Sequence, residues 1–305
     1  MLKSCAITLA CGVTAAFAHN IIISNDDGWA TAQIRAQYAA LKEADYDVIL
    51  SCPALNQSGK GSQSITPTPL SVPCEFDTCP VGSPPEGFNA SDSRLNYVNA
   101  YPVDAVRYGI QVLAPEFFNK VPDFVVTGPN IGNSFGILVP LSGTVGAAAE
   151  ASIEGIPATA FSGASGTQVS YTTLDSDPDA ESSRAARLYS ALTIHYVQTI
   201  LNNTVPGTPL LPPNVIVNVN YPSINNCSEI AGFTWVFSRN ITNTGGTDLN
   251  VCGSTTLPTA RQVIAAEGCY VSVTALDAIS KKDVDAATQT AVYARLLGLP
   301  SSCLH

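Results

Sequence analysis

Short runs of branched apolar residues alternate along this chain with longer stretches whose apolar positions recur every three or four residues. Ile21-Ile22-Ile23 reads as a strand buried on both faces, because no polar residue interrupts it. Ala30, Ile34, Tyr38 and Leu41 keep helical spacing, and the pattern ends near Asp45. Asp47 to Ser51 is the next strand, so this segment predicts a right-handed strand–helix–strand crossover. The alternation continues. A helix is expected over Asp104–Leu113 after Pro102, a strand over Phe124–Thr127, a helix opening at Ser142, and a strand over Pro157–Ser162. A long helix follows over Glu181–Leu201, then strands at Val215–Tyr221 and Tyr270–Ala275, and a final helix over Val284–Leu297 stopped by Gly298 and Pro300. This order predicts an α/β fold: a Rossmann-like, mostly parallel sheet with helices on both faces.

Two stretches depart from the alternation. Between Pro67 and Pro85 fall six prolines, and no period of 2 or 3.6 persists to Tyr97. That segment is expected to be a long excursion over the sheet edge, either a lid or an inert insertion. Residues 227–268 hold Gly, Thr and Asn clusters with short β-prone runs such as Phe233–Phe237, which suggests hairpins. The expected organisation is one α/β domain over 19–305, with a core of about 20–165 and a C-terminal hairpin and helix extension of about 180–305.

Composition narrows the setting. The first 18 residues pair Lys3 with an apolar run and an Ala16-Phe17-Ala18 ending, the pattern of a secretory signal peptide, so a secreted protein is expected. No later run is long enough to span a membrane. With 14 basic against 24 acidic residues the formal charge is −10, which argues against nucleic acid polymers and anionic membranes as partners. An anionic ligand would therefore need a metal or oriented backbone dipoles. Outside the leader the cysteines are Cys52, Cys74, Cys79, Cys227, Cys252, Cys269 and Cys303, an odd number. Disulfides are expected in an exported chain, with Cys74 and Cys79 close enough to pin a local loop and Cys52 the buried single. The other four cannot be paired from sequence. Sequons at Asn56, Asn89, Asn202, Asn226 and Asn240 suggest a glycoprotein.

The candidate chemistry lies at the strand exits, which parallel strands place on one rim. Asp26 and Asp27 follow the first strand, Ser58 the second, and Asn130 the strand at Phe124. Two adjacent carboxylates repel unless a cation lies between them and a ligand. With a hydroxyl and an amide oxygen they form an all-oxygen cage suited to Mg²⁺ or Mn²⁺ rather than zinc. Ser142-Gly143-Thr144, at a helix start just beyond, offers a seat for phosphate. The blander alternatives are that Asp26 caps the following helix, that Asp27 is solvated, and that Ser142 is only a cap.

IIISNDDG (21–28), NQSGKGSQSIT (56–66), YPVDAV (101–106), PDFVVTGPNIG (122–132), LSGTVGAA (141–148) and IPATAFSG (156–163) occur in that order. In these motifs the chain resembles the SurE-type survival-protein nucleotidases and acid phosphatases, with weaker echoes in VNVNYP (217–222) and EGCYVSVTAL (267–276). The resemblance implies a divalent-metal-dependent phosphomonoesterase acting on nucleoside monophosphates and other phosphomonoesters, a 5'/3'-nucleotidase or acid phosphatase that forms homodimers or homotetramers. It implies Asp26, Asp27, Ser58 and Asn130 as metal ligands, with Asp26 or Asp27 as the catalytic base. It gives Ser142, Gly143 and Thr144 to the phosphate, with help from Asn133 or Ser134. The family's second asparagine is replaced here by Ser134, with Asn133 beside it, and its Gly-Thr-Pro turn by Ala100-Tyr101-Pro102.

Two other readings remain open at this point. Gly132-Asn133-Ser134-Phe135-Gly136 fits G-x-S-x-G, with Asp175 and His195 downstream in the order of a serine hydrolase. The chain could also be a nonenzymatic secreted protein that binds metal or glycans. Asn56 lies two residues before a proposed ligand, so a glycan there would obstruct the site. Peptide mapping of the secreted protein is expected to find Asn56 unmodified.

Overall fold

The computed structural model describes residues 19–225, 227–243 and 245–304; the leader expected over 1–18 and the sequon at Asn226 lie outside the described residues. The core is β1 (Asn20–Ser24), α1 (Ala32–Glu43), β2 (Asp47–Pro53), β3 (Glu86–Asn89), β4 (Asp92–Val98) and α2 (Pro102–Tyr108). A π turn over Gly109–Leu113 joins α2 to α3 (Ala114–Phe118). β5 (Phe124–Ile131), α4 (Gly143–Ile153), β6 (Ala158–Gly163), α5 (Thr173–Ser176) and α6 (Glu181–Asn202) follow. The chain ends with β7 (Val215–Tyr221), β8 (Thr234–Ser238), α7 (Ala260–Ala265), β9 (Tyr270–Asp277) and α8 (Ala286–Arg295).

All strands join one nine-stranded sheet of order β3-β4-β2-β1-β5-β6-β7-β9-β8. From β4 to β7 the pairings are parallel; β3 on β4 and β9 on β7 are antiparallel. The expected α/β architecture is therefore present, and β1 lies inside the sheet between β2 and β5. Alternation along β1 divides the core. Ile21 and Ile23 pack with Ile34, Leu41, Leu192 and Tyr196 of α1 and α6. Ile22 faces the opposite way, onto Val106, Val145 and Ala148 of α2 and α4. A strand covered on both faces has no use for polar positions, which is why the run is unbroken.

The helix expected at Asp104–Leu113 extends further, through the π turn to Phe118. Pro115 accounts for the π turn within it: it has no N–H to give the carbonyl four residues back, and its ring would crowd that carbonyl. The wider π turn accommodates it.

The structure amends two expectations. The excursion at 67–97 is not without regular structure, since it ends in the β3–β4 hairpin, and β4 extends the sheet beside β2. Only its first part lies over the rim, anchored by buried Leu70 and Cys74. The hairpins expected within 227–268 are largely replaced by β8, which pairs in parallel with β9 at the far edge of the same sheet, and by α7. The C-terminal extension thus continues the sheet. Cys74–Cys79 is paired and Cys52 is buried and free; the four cysteines that sequence left open pair as Cys227–Cys269 and Cys252–Cys303. Asn240 proves to be a poor sequon, since its buried amide bonds Gly136 through both its oxygen and its nitrogen.

α4 sits against the 56–64 loop through a glycine contact. A Cβ on Gly146 would stand 1.9 Å from the Gly61 carbonyl oxygen, a backbone atom that no rotamer change can move. Helix propensity alone favours Gly146→Ala by about 1 kcal/mol. Overpacking of this kind costs about 1–3 kcal/mol and should win. Urea unfolding is therefore expected to show Gly146→Ala less stable than the parent; a more stable variant would mean that α4 and the loop do not touch.

Candidate active site

β1 ends at Ser24, and the chain turns through Asn25-Asp26-Asp27-Gly28. The Asn25 side chain closes this turn by accepting from the Gly28 amide at 3.2 Å and donating to the Gly28 carbonyl at 2.8 Å. Both aspartates are sealed in, Asp26 at 2% and Asp27 at 1% exposure. Neither blander alternative holds for them. α1 begins at Ala32 behind Thr31, which makes no side-chain cap, and Asp27 is not solvated.

Asp26 is held instead by the start of α4. Its Oδ1 accepts from the Thr144 hydroxyl at 2.5 Å and its Oδ2 from the Thr144 amide at 3.1 Å. Gly143 makes this approach possible, since a Cβ there would stand 2.8 Å from the Asp26 Cβ. The helix N-terminus places positive dipole against the carboxylate. Asp27 accepts from the Ile131 amide at 2.8 Å and from Gln168 Nε2 at 2.6 Å. Gln168 is an exposed residue of the polar loop after β6, so one surface side chain covers a buried acid.

Burial pushes the Asp26 carboxyl above its ordinary value, and the Thr144 hydrogen bonds draw it back down. Asp27 is raised further, by burial first and then by the charge of Asp26, with a smaller contribution from Glu75. No Lys or Arg forms an ion pair with either aspartate among the described residues.

Asn130 follows the bend of β5. Gly128 stands at φ +94° and a Cβ there would lie 2.1 Å from the Phe161 carbonyl oxygen, so only glycine lets the strand bend at that point. Asn130 donates to the Gly132 carbonyl at 2.6 Å, which leaves Oδ1 buried without a donor. Asn130 precedes Ile131, whose amide holds Asp27, so this donorless amide oxygen belongs to the segment that meets the aspartate turn. Ser58 is exposed on the loop after β2, and Gln57 ties that loop to the site by donating its amide to the Asp26 carbonyl at 2.7 Å. The described residues take no hydrogen bond from the Ser58 hydroxyl.

The residues assigned to phosphate prove to be occupied with one another. Both donors of Thr144 go to Asp26. Ser142 caps α4 by accepting from the Val145 amide at 3.2 Å and pairs with the Ser134 hydroxyl at 3.0 Å. The Ser162 hydroxyl donates to Ser134 at 3.1 Å. Asn218 and Asn220, two residues apart on one face of β7, hold the Ser134 backbone, and Asn133 donates to the Tyr221 carbonyl at 3.0 Å. Thr144 in this state is a holder of Asp26 rather than a free phosphate donor.

This arrangement also disposes of the serine-hydrolase reading. The hydroxyl partners of Ser134 among the described residues are serines, not a histidine. His195 lies on α6, and Asp175 is exposed on α5.

Sequence reasoning missed four residues. Gln168 and Asn218/Asn220 carry only the weak signals of a polar loop and an alternating strand. Glu75 lies within the proline-rich excursion, yet its carboxylate rests on Gly28 of the aspartate turn. Burial pushes its carboxyl up to about 7.

Fold and site together define an α/β protein with two buried carboxylates at the exit of a parallel strand, although among the described residues no group of three or more His, Cys, Asp or Glu could hold a metal ion. The model of the survival protein SurE family matches residues 21–244, and the chain belongs to that family. It is 31% identical to an acid phosphatase of Yarrowia lipolytica, over 91% of this chain and 83% of that one. It is 28% identical to a 5'-nucleotidase SurE of Lawsonia intracellularis, over 68% of this chain and 67% of the other. The SurE protein of Aquifex aeolicus has a similar fold, with a TM-score of 0.56 and 23% identity over 85% of this chain and 93% of that one.

The raised carboxyls set a pH dependence. An acid whose folded pKa lies above its unfolded value contributes stability at low pH that is lost as the pH rises. For Glu75 the window runs from 4.5, its ordinary value, to about 7, and both aspartates act in the same direction. With chelator present, the melting temperature is expected to fall as pH rises through this window; with Mn²⁺ present the fall should flatten. Equal slopes in both series would count against a cation at these carboxylates.

Proposed function

We propose that the protein is a divalent-metal-dependent phosphomonoesterase that releases phosphate from nucleoside monophosphates and related phosphomonoesters. That it is a phosphomonoesterase follows from its family and from relatives named acid phosphatase and 5'-nucleotidase. Metal dependence is supported by the sequence neighbours Asp26 and Asp27, both buried with no basic partner among the described residues, and by the donorless oxygen of Asn130 on the segment whose Ile131 amide holds Asp27. Asp26, Asp27 and Asn130 would hold the cation, with Ser58 on the loop that Gln57 ties to Asp26.

Bound there, a Mg²⁺ or Mn²⁺ ion supplies Lewis-acid polarisation of a phosphoryl oxygen and lowers the pKa of a water. The chain provides the rest. Thr144 fixes both oxygens of Asp26, so this carboxylate keeps one orientation. Ile131 and Gln168 do the same for Asp27, and because Gln168 is a surface side chain its withdrawal would free one Asp27 oxygen to take a proton from water. The N-terminus of α4 sets backbone dipole toward the same rim and favours an anion there. Phosphate contact by Ser142, Gly143 and Thr144 then requires their present bonds to rearrange, with Asn133 and Ser134 shaping the wall behind them.

The reading includes export, supported by the leader pattern of residues 1–18 and by three disulfides. Glycosylation and assembly into dimers or tetramers, which the family resemblance implies, belong to the same proposal.

The test is phosphate release from p-nitrophenyl phosphate and a panel of nucleoside monophosphates, with and without chelator. Chelation should abolish turnover and Mg²⁺ or Mn²⁺ restore it. Asp26→Asn and Asp27→Asn should each lower kcat at least about 100-fold, the scale of losing a principal electrostatic group. Near-normal turnover in both variants, or turnover indifferent to chelator, would remove the metal from the reaction.

A further inference from the structure

The side chains at the start of α4 have no donor to spare. Thr144 gives both of its own to Asp26, and the Ser142 hydroxyl is shared between the Val145 amide and Ser134. A phosphate dianion arriving there meets two buried carboxylates in a chain of net charge −10. Backbone dipole at the helix start offsets part of that repulsion, and a positive side chain would offset more.

The loop after β2 carries one, since Lys60 is the only basic residue between Asn56 and Thr66. This loop is clamped at both ends. Gln57 donates its amide to the Asp26 carbonyl at 2.7 Å, and the Ile65 amide donates to the Asp104 carboxylate at 2.9 Å. Between the clamps, Gly59 and Gly61 flank Lys60 at φ of +81° and +54°. The Gly61 amide donates to the Leu141 carbonyl at 3.0 Å, one residue before the α4 cap. A Cβ on Gly61 would stand 2.5 Å from the Pro140 carbonyl oxygen, so the loop lies against the chain that leads into α4.

The Lys60 side chain turns over Tyr101, with Nζ 4.9 Å from the ring centre. Tyr101 precedes Pro102, whose Cγ lies 2.9 Å from where a Gly143 Cβ would be; the Asp26 Cβ lies 2.8 Å from the same point. The ammonium thus rests beside the junction of α2, α4 and the aspartate turn. Lys42 pairs with Asp92 and Lys120 with Asp123, but among the described residues no carboxylate pairs with Lys60 and no acceptor takes its N–H groups. A ring face holds an ammonium less tightly than a charged oxygen does, and leaves its donors free.

We propose that Lys60 is a phosphate-binding residue, which turns from Tyr101 onto the phosphoryl oxygens of a bound phosphomonoester, and that Tyr101 is the positioning residue that keeps it poised. The proposal rests on the reading of this rim as the phosphomonoesterase site. It gives a task to Tyr101, which stands where the family's Gly-Thr-Pro turn has a smaller residue.

Lys60→Met keeps the length of the side chain and removes its charge. With Mg²⁺ present, KM for p-nitrophenyl phosphate is expected to rise about 10–100-fold at nearly constant kcat, the scale of losing one charge-assisted hydrogen bond. Calorimetric titration with inorganic phosphate should weaken by a similar factor, and the melting temperature should equal the parent's. Lys60→Arg should recover part of both losses. Lys120→Gln removes an equal charge at the opposite end of β5 and should change neither. Tyr101→Leu should raise KM less than Lys60→Met, and should add nothing in the Lys60→Met background.

Unchanged KM and phosphate affinity in Lys60→Met would overturn the role of Lys60 and leave the phosphomonoesterase site standing. So would a loss confined to kcat, or a lower melting temperature with phosphate binding intact. An equal rise in KM in Lys120→Gln would assign the effect to net charge instead of contact. An additive double variant would overturn the part given to Tyr101. A parent that neither releases nor binds phosphate would overturn the phosphomonoesterase reading, and the proposal with it.

Discussion

Two neighbouring carboxylates, buried with no Lys or Arg paired to either among the described residues, are the constraint around which this molecule is arranged. Burial raises both, and Asp27 is raised again by Asp26. Such a pair persists only where the surrounding chain prevents it from escaping to water. Here the restraint comes from the sheet: β1 is an interior strand, with β2 and β5 paired in parallel on either side. The turn after Ser24 therefore cannot shift without breaking two ladders. Thr144, Ile131 and Gln168 then supply donors to the acids from three separate segments.

How the scaffold carries those donors follows from packing. Gly143 and Gly146 leave α4 bare on the side that meets Asp26 and the Gly61 carbonyl. A helix with ordinary side chains at both positions could not bring its N-terminus onto a carboxylate. Behind it, a relay of hydroxyls from Ser162 through Ser134 to Ser142 joins β6 to the cap of α4. Asn218 and Asn220 fasten the middle of that relay to β7. The Ser134 hydroxyl and backbone are both engaged within this wall, which is why a G-x-S-x-G pattern here marks no nucleophile.

Much of this was legible in the sequence, for a physical reason. Ile21-Ile22-Ile23 can only be a strand covered on both faces, and parallel strands gather their exits on one rim. The positions of Asp26, Asp27 and Asn130 follow from those two facts. What stayed hidden depends on contacts distant in sequence. Thr144 reads as a phosphate residue from its place at a helix start, and nothing local reveals that Asp26, 118 residues away, takes both of its donors. The β3–β4 hairpin was obscured because Gly87 and the flanking prolines dilute any alternation. β8 was expected to fold back locally because its parallel partner β9 comes later in the chain. Glu75 carried no signal, being one acid among prolines.

The way that proline-rich segment is attached has an evolutionary consequence. It leaves the core after β2 and returns as the β3–β4 hairpin at one edge of the sheet, so the registers that fix the aspartate turn do not pass through it. Its composition and length could drift, or be exchanged wholesale, while the hydrolytic strands stayed as they are. Such a layout lets a lineage vary a detachable border and leave the central frame untouched.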